Sequence, residues 1–317
     1  MTAHSSPVIA PPAEGPVSGM DGFFHRYADV NGTRLHYVVG GEGPLVVLLH
    51  GWPYTWAVWR RLMPLLAATG FTVVAPDLRG TGDSGKPDSG YAKSEVAEDV
   101  RQLVGKLNSA DPDGTGRYDT GGPTGINLVG MDIGAMVAHA YATAHPREVR
   151  RLVLSESVLP GFGLEELMNP ATGGYWHFGF HMQLDIAELL TAGKEAAYLT
   201  PAWAIGSPAG GLTDADRAEF LRHYSAPGGM RGGFQHYATL LEDGRAIRAA
   251  STTRLPMPVL VLNAVHGLPQ APLLEGVRQV ADDVRADLVP DSGHAYPADN
   301  PAWVAHRLAA FFAAPAA

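Results

Sequence analysis

The chain has 317 residues, of which 46% are hydrophobic and 17% charged, so it is long enough to bury the core of one large domain with an insertion. Its formal charge of -9 argues against nucleic acids and anionic membranes as partners, because both select patches of Lys and Arg, and the sequence contains no run of them. The absence of cysteine excludes disulfides, thiolate chemistry and Cys-ligated metals.

The first 19 residues are rich in Pro, Ala, Ser and Gly, and they have neither the basic start nor the apolar core of a signal peptide. We interpret residues 1–19 as a disordered leader and expect a cytoplasmic protein. No later segment reaches the roughly 18 uninterrupted apolar residues that a membrane span requires. A homodimer is a possible assembly.

The sheet is predicted to begin with a hairpin. Strand-like runs over residues 24–30 and 34–39 are joined by Asn31-Gly32, which is a strong signal for a tight hairpin turn. The apolar run of residues 45–49 then has the pattern of a buried strand, and it ends in His50-Gly51-Trp52-Pro53. The sheet therefore opens antiparallel and continues with a buried strand.

Helices and strands alternate after this point. Residues 55–69 are predicted as one amphipathic helix and residues 71–75 as the next strand, and residues 96–107 carry apolar side chains at helical spacing. Further strands are predicted over residues 126–129 and 149–155. Such alternation predicts a mostly parallel sheet that is covered on both faces by helices, which is an α/β fold.

Two glycine-rich loops interrupt the alternation. Residues 80–85 contain a literal G-x-G-x-x-G, but residues 86–90 prolong the loop, whereas a dinucleotide-binding fingerprint must open a helix directly. We therefore predict no nucleotide cofactor. Residues 111–125 are interpreted as a peripheral surface loop from their composition.

The pattern changes in the second half of the chain. Residues 163–249 are helical or loop-like, rich in aromatics and without a run typical of a buried strand. The alternation resumes with a strand over residues 258–263 and closes with a helix over residues 301–312. The sequence thus predicts a core formed by residues 20–157 and 251–317, with a helical cap of residues 158–250 inserted into it.

One carboxylate stands in the middle of an apolar stretch. Asp132 lies between a short buried strand and a helix, with Gly130 two residues before it and Gly134 two residues after it. This is the pattern of a nucleophile elbow, in which a strained turn presents the middle side chain above the sheet, although that residue is usually Ser. Asp is also favoured as a helix N-cap, and an isolated motif does not separate the two interpretations.

A nucleophilic carboxylate needs a base, an acid that orients the base, and donors for an oxyanion. His294 lies on a loop after the last strand and is the candidate base. Glu156 directly follows the strand after Asp132, and it is the candidate acid because the alternative loop, residues 263–269, contains no Asp or Glu. The backbone N–H groups of Trp52 and Ile133 are the candidate oxyanion hole, and a cis Trp52-Pro53 bond is plausible.

Together these residues resemble the α/β-hydrolase family, and within it the epoxide hydrolase and haloalkane dehalogenase branch. The resemblance rests on the Asp at the elbow, the His-Gly-x-Pro turn and the Asp-x-Arg-Gly-x-Gly-x-Ser loop at residues 77–84. It covers nearly all of residues 23–312 and implies the α/β-hydrolase fold with a cap.

Cap segments around residues 175–180, 192–195 and 234–237 look like those of the bacterial Cif-type epoxide hydrolases. That likeness implies that His177 and Tyr237 bind the epoxide oxygen and that Glu156 is the acid. The alternative for this pair is aromatic packing of the cap. The sequence departs from the type in having no signal peptide, a longer loop at residues 111–125, and His181, which has no obvious counterpart.

The resemblance implies an epoxide and water as the substrates and a vicinal diol as the product, formed through an ester on Asp132. A haloalkane or haloacid dehalogenase with the same nucleophile is the first alternative, and an inactive hydrolase-fold binding module is the second. His177 and His181 have the i, i+4 spacing of a metal pair, but no third ligand is nearby, so no metal is predicted.

Overall fold

A nine-stranded mixed sheet forms the centre of the computed structural model, which describes residues 11–109 and 125–314. The strands lie in the order β1-β2-β3-β5-β4-β6-β7-β8-β9. Pairs from β1 to β5 along this order are antiparallel, and the pairs from β5 to β9 are parallel. The strands are β1 Gly15–Pro16, β2 Phe23–Val30, β3 Thr33–Gly40, β4 Leu45–Leu49, β5 Thr72–Pro76, β6 Ile126–Met131, β7 Val149–Ser155, β8 Val259–Ala264 and β9 Val284–Val289.

Helices cover the sheet and continue into the segment between β7 and β8. The helices are α1 Leu62–Ala67, α2 Lys93–Ser109, α3 Ile133–Ala144, α4 Leu164–Leu167, α5 Trp176–His181, α6 Leu184–Thr191, α7 Glu195–Gly206, α8 Asp214–Tyr224, α9 Gly229–Ala238, α10 Leu240–Ala250, α11 Gln270–Val280, α12 Tyr296–Asp299 and α13 Pro301–Ala313, with 3₁₀ turns at Trp56–Trp59, Pro146–Glu148 and Pro170–Thr172. The predicted α/β-hydrolase fold, a mostly parallel sheet with covering helices, is confirmed.

The parallel strands explain the continuous apolar runs in the sequence. Every residue of β4, β5, β6 and β8 is buried, as expected for strands with helices on both faces. In the edge strand β9 the first five residues are partly buried or exposed, and Val289 is buried. This arrangement brings the loops after β4, β6, β7 and β9 to one edge of the sheet, where the candidate site lies.

The helical segment between β7 and β8, called the cap here, follows the loop after Ser155. Its described elements, α4 to α10, are helices and one 3₁₀ turn, and all residues between Ser155 and Val259 are described. The boundaries predicted for core and cap, residues 20–157, 158–250 and 251–317, stay a prediction.

The single helix predicted over residues 55–69 is wrong. The structure has a 3₁₀ turn at Trp56–Trp59, followed by the separate helix α1 from Leu62. Pro64 explains the break, because it cannot donate a hydrogen bond to Arg60 and its ring clashes with that carbonyl in a continuous helix. In the first turn of α1 the same residue is tolerated.

The disordered leader predicted for residues 1–19 is wrong over its described part. Gly15 and Pro16 pair with His25 and Phe24 as an edge strand, and the side chains of Val17 and Met20 are buried in the core. Composition alone indicated flexibility, but these two apolar side chains supply the burial that orders the segment. Residues 1–10 lie outside the described residues, as do residues 110–124, which contain most of the loop predicted over residues 111–125.

The G-x-G-x-x-G loop packs inside the protein and does not open a helix, since α2 begins only at Lys93. A side chain on Gly82 would overlap the buried Asp77 carboxylate, with its Cβ 2.0 Å from Cγ. This close approach accounts for that glycine without a nucleotide. Within residues 11–109 and 125–314, no helix is long and apolar enough to cross a membrane.

Candidate active site

Asp132 occupies a strained turn between β6 and α3. Its backbone has φ 55° and ψ -123°, a conformation that side-chain-bearing residues rarely adopt. A Cβ on Gly130 would lie 2.2 Å from the carbonyl oxygen of Gly134, and one on Gly134 would lie 2.2 Å from that of Leu49. The two glycines are therefore required for the turn, which has the geometry of a nucleophile elbow.

The carboxylate of Asp132 points towards the turn after β4. Its Oδ1 accepts a hydrogen bond of 2.8 Å from the backbone N–H of Trp52. Asp132 does stand at the N-cap position of α3, but its side chain does not cap the helix. Burial raises the pKa of Asp132, while His294 and the N–H groups of Ile133 and Trp52 counteract this effect.

His294 links the two carboxylates of the site. Its Nδ1 lies 2.9 Å from Glu156 Oε2, and its Nε2 lies 3.8 Å from Asp132 Oδ2. Burial alone would lower the pKa of His294, but the hydrogen bond and charge of Glu156, with the charge of Asp132, raise it. The three residues predicted as nucleophile, acid and base are thus brought together in one chain of contacts.

Glu156 is fully buried, and its carboxylate is held from three sides. Oε1 accepts from the N–H of Ala264 at 2.7 Å, and Oε2 accepts from the N–H of Leu268 at 2.8 Å in addition to its contact with His294. A Cβ on Gly267 would lie 2.3 Å from both oxygens, so only glycine leaves room there. The loop after β8, which lacks an acid of its own, is instead shaped around Glu156.

The turn after β4 contains a cis Trp52-Pro53 bond, as predicted, and it is held by the buried His50. The Nε2 of His50 accepts from the N–H of Leu78 at 3.2 Å, so Nδ1 carries the proton and donates to the Gly51 carbonyl at 2.9 Å. A side chain on Gly51 would overlap Asp132. This turn places the Trp52 N–H beside the carboxylate.

His177 and Tyr237 face the site from the cap. Their rings are 5.8 Å apart and nearly perpendicular, and Tyr237 also packs edge-on against Trp52. Burial and the charge of His294 lower the pKa of His177 to about 4, and burial raises the pKa of Tyr237 well above its ordinary value. Both are therefore neutral hydrogen-bond donors at neutral pH.

His181, which the sequence left unexplained, contacts two tyrosines of the cap. It is fully buried, its Nε2 lies 2.7 Å from the Tyr198 hydroxyl, and burial lowers its pKa to about 2. Its ring packs against Tyr237, with centroids 4.4 Å apart. Sequence reasoning did not identify Tyr198, because a tyrosine on a cap helix has no local feature that places it in a cavity.

Two groups of side chains elsewhere have the spacing of a cation site in the described part of the chain, and both include Asp83. One adds His36 and Asp77, and the other adds Glu219 and His223. The guanidinium of Arg222 already pairs with Asp83 at 2.9 Å and with Glu219 at 3.0 Å. A fixed cation therefore neutralises these carboxylates.

A cavity of about 390 Å³ lies between core and cap. Asp132, His294, His177 and Tyr237 all line it, and the rest of its wall is mainly aromatic and aliphatic. Among the described residues that line it, none is Lys or Arg. The arrangement can hold a neutral, largely apolar molecule against the Asp132 carboxylate, with two neutral donors supplied by the cap.

Comparisons with known proteins agree with this geometry. Residues 44–178 match the model of the alpha/beta hydrolase fold. A soluble epoxide hydrolase from Corynebacterium sp. (strain C12) is 36% identical over 296 residues, which are 91% of this chain and 97% of that protein. The crystal structure of Cfl2 from Burkholderia cenocepacia superposes with a TM-score of 0.83 at 34% identity, covering 95% of this chain and 99% of the other.

A dehalogenase is also among the relatives. A fluoroacetate dehalogenase from Burkholderia sp is 35% identical over 168 residues, which are 51% of this chain and 50% of that protein. The match to this enzyme therefore covers half of each chain, whereas the Corynebacterium protein matches over nearly its whole length.

Proposed function

The chain belongs to the epoxide hydrolase branch of the α/β-hydrolase fold family, and from this premise we propose that it opens an epoxide to a vicinal diol through a covalent ester on Asp132. One observation carries the proposal. The Asp132 carboxylate, presented by the elbow, faces the same cavity as His177 and Tyr237, two neutral donors on the cap. The proposed nucleophile thus comes from the core, and the proposed oxygen-binding groups come from the cap.

In the first step, the ionised Asp132 attacks a ring carbon of the epoxide, and the C–O bond to that carbon breaks. Hydrogen bonds from His177 and Tyr237 stabilise the charge that develops on the departing oxygen, and this oxygen takes the hydroxyl proton of Tyr237, which becomes a tyrosinate. A neutral tyrosine hydroxyl suits this task, because its high pKa keeps the proton in place until an alkoxide forms. The product of the step is a hydroxyalkyl ester of Asp132.

In the second step, His294 removes a proton from water, and the water attacks the carbonyl carbon of the ester. The backbone N–H groups of Trp52 and Ile133 stabilise the tetrahedral oxyanion. The 2.9 Å contact with Glu156 holds the ring of His294 in one tautomer and stabilises the imidazolium that forms. As the intermediate collapses, the departing oxygen of the diol takes the proton from the His294 imidazolium. The Asp132 carboxyl group returns its proton to the Tyr237 tyrosinate, which regenerates the carboxylate.

A single turnover in ¹⁸O-water tests the covalent step. With enzyme in excess over styrene oxide, the first diol should carry only unlabelled oxygen, and the label should enter the carboxylate of Asp132. In His294→Gln, intact mass should show a lasting adduct, and Asp132→Ala should show none. Label directly in the first diol would mean that water attacks the epoxide itself, and the nucleophile assignment would be wrong.

Dehalogenation is the second candidate, because a fluoroacetate dehalogenase matches half of the chain and would use the same carboxylate chemistry. A haloacid carries its own carboxylate, however, and the described lining of the cavity offers no Lys or Arg to pair with it. A neutral haloalkane meets no such obstacle. Faster halide release from haloalkanes than diol formation from any epoxide would replace the proposal with this candidate.

An inactive binding module is not favoured. Such a protein has no need for a strained elbow or for a base held between two carboxylates, and backbone strain of this kind costs of order 1–3 kcal/mol. The same panel of epoxides tests this alternative, since an inert protein would form neither a diol nor an adduct.

A further inference from the structure

A buried ion pair joins the core to the cap outside the cavity. Lys93 is the first residue of α2, and Asp243 lies in α10. Their side chains are 0% and 4% exposed, with Lys93 Nζ 3.2 Å from Asp243 Oδ2. The backbone N–H of Lys93 also donates to Asp243 Oδ1 at 2.8 Å. Because desolvation offsets much of the attraction in a buried pair, stability alone is a weak explanation for it.

The remaining bonds of Lys93 go to the Tyr91 carbonyl, at 3.3 Å, and to the end of α9. Its ammonium donates to the His236 carbonyl at 2.7 Å and lies 3.2 Å from the Thr239 hydroxyl, which itself donates to Asp243 at 2.7 Å. Helix α9 ends at Ala238, so the His236 carbonyl is one of those left without a partner in the helix. Lys93 supplies that partner, and its charge lies at the negative end of the helix.

These anchors stand on either side of Tyr237. His236 precedes it, and the imidazole of His236 is tied back to the core by a 2.9 Å contact with the Arg79 carbonyl. Thr239 follows two residues later. The hydroxyl of Tyr237 has no hydrogen bond to the described residues, so its place depends on ring packing and on the backbone that carries it. That backbone is held by Lys93 and Asp243.

We infer that Lys93 and Asp243 are a positioning pair, which sets the height of the Tyr237 hydroxyl above Asp132 and thereby the rate of epoxide opening. The inference rests on the proposed function. Hydrolysis of the ester depends on other groups, namely His294, Glu156 and the oxyanion donors. Loss of the pair should therefore slow ester formation and leave ester hydrolysis largely unchanged, because a displacement near 1 Å can cost roughly 10²-fold in rate.

The experiment measures the two steps separately by rapid mixing with styrene oxide. Asp243→Asn and Lys93→Met should each form the ester roughly 10-fold to 100-fold more slowly, and hydrolyse it within about 3-fold of the parent rate. Arg101→Met is the matched control, since Arg101 also lies in α2 but pairs with Glu148 at the surface. It should change neither rate.

Lys93→Met could unfold the protein, because it leaves a buried carboxylate alone. The double variant Lys93→Met/Asp243→Asn removes both charges, keeps an acceptor for the backbone N–H of residue 93 and should fold, yet the His236 carbonyl still lacks its donor. We expect it to melt at a higher temperature than Lys93→Met without recovering the rate of ester formation. Recovery of both the melting temperature and the rate would show that the pair only joins cap to core, and would overturn the inference.

A double-mutant cycle with Tyr237→Phe separates positioning from general disturbance. If Lys93 acts through the Tyr237 hydroxyl, Lys93→Met should slow ester formation only slightly in a protein that already carries Tyr237→Phe. The two losses in rate should therefore not multiply. Multiplicative losses, or equal slowing of both chemical steps, would contradict the inference while leaving the epoxide proposal intact. A parent protein that forms neither ester nor diol would instead overturn the proposed function, and the inference with it.

Discussion

At the scale of single residues, Glu156 has two tasks: its carboxylate bonds buried backbone N–H groups, and in the proposed mechanism it orients His294. One substitution should therefore lower both stability and activity. Its oxygens accept from two backbone N–H groups and from His294 in a fully buried position. In Glu156→Gln an amide N–H₂ replaces one acceptor and faces a donor, and the imidazolium loses its counter-charge. We expect kcat to fall by at least about 10²-fold and the protein to melt at a lower temperature.

The control for this variant is Glu166→Gln, which removes the same charge at an exposed position in α4. Steady-state kinetics and thermal melting of the two variants check the prediction. Parental turnover in Glu156→Gln would mean that another group orients His294.

The charge of Asp132 acts on His294 as well as on the substrate. Only 3.8 Å separates Oδ2 of Asp132 from Nε2 of His294, and the negative charge favours the protonated imidazole. Asp132→Asn removes the charge, so the pKa of His294 should fall relative to the parent protein. In the proposed mechanism, formation of the ester removes the same charge, which prepares His294 to act as a base in the second step.

An NMR titration of ¹⁵N-labelled histidine side chains tests this effect, with the His294 signal assigned by its loss in His294→Gln. Asp88→Asn, a change at an exposed loop carboxylate, should leave the titration unchanged. An unchanged or higher pKa in Asp132→Asn would show that Glu156 alone determines the protonation of His294.

At the scale of elements, the elbow depends on close approaches that only glycine allows. Gly134→Ala would press a methyl group on the carbonyl oxygens of Leu49 and His50, which cannot move without moving β4. We expect the free energy of unfolding to fall by about 1–3 kcal/mol and the activity to fall as well. In Gly51→Ala the new methyl group meets the Asp132 side chain instead, so activity should fall more than stability.

Urea denaturation and the rate of ester formation measure the two effects. Gly105→Ala serves as the control, because a Cβ there meets none of the described residues within 4 Å and Ala is favoured in a helix by roughly 0.5–1 kcal/mol. A Gly134→Ala protein with parental stability would show that the elbow relaxes more freely than its contacts indicate.

The same elements show how far sequence reasoning reaches. The strands and the turn around Asp132 were predictable because their signals are local: an apolar run, an Asn-Gly turn, two glycines at fixed spacing. The proximity of Glu156 and His294 was predictable from their positions after strands of one sheet. The Lys93–Asp243 pair was not, because it joins residues 150 positions apart whose local sequence is ordinary. Val17 and Met20 were likewise not predicted to be ordered, because they pack on a core that residues distant in the sequence form.

At the scale of the whole molecule, charge should select the substrate. The protein carries a formal charge of -9, the carboxylate proposed as its nucleophile is an anion, and the described cavity lining contains no Lys or Arg. An epoxide with a carboxylate substituent would enter without a partner for its charge, which costs several kcal/mol in such a site. We expect kcat/KM for the glycidate anion to be at least about 10²-fold below that for glycidamide, which has nearly the same shape.

A cation at the mouth of the cavity should reduce that difference. Ile205 lines the cavity and is 77% exposed, so Ile205→Arg is compatible with the fold and places a guanidinium where it can pair with the carboxylate of glycidate. Turnover of glycidate should rise while that of glycidamide changes little. Ile186→Arg, an equal change of charge at an exposed position of α6 that does not line the cavity, distinguishes a local partner from the overall field. If both arginine variants improve glycidate equally, the overall charge governs selection; if neither does, the cavity discriminates by shape.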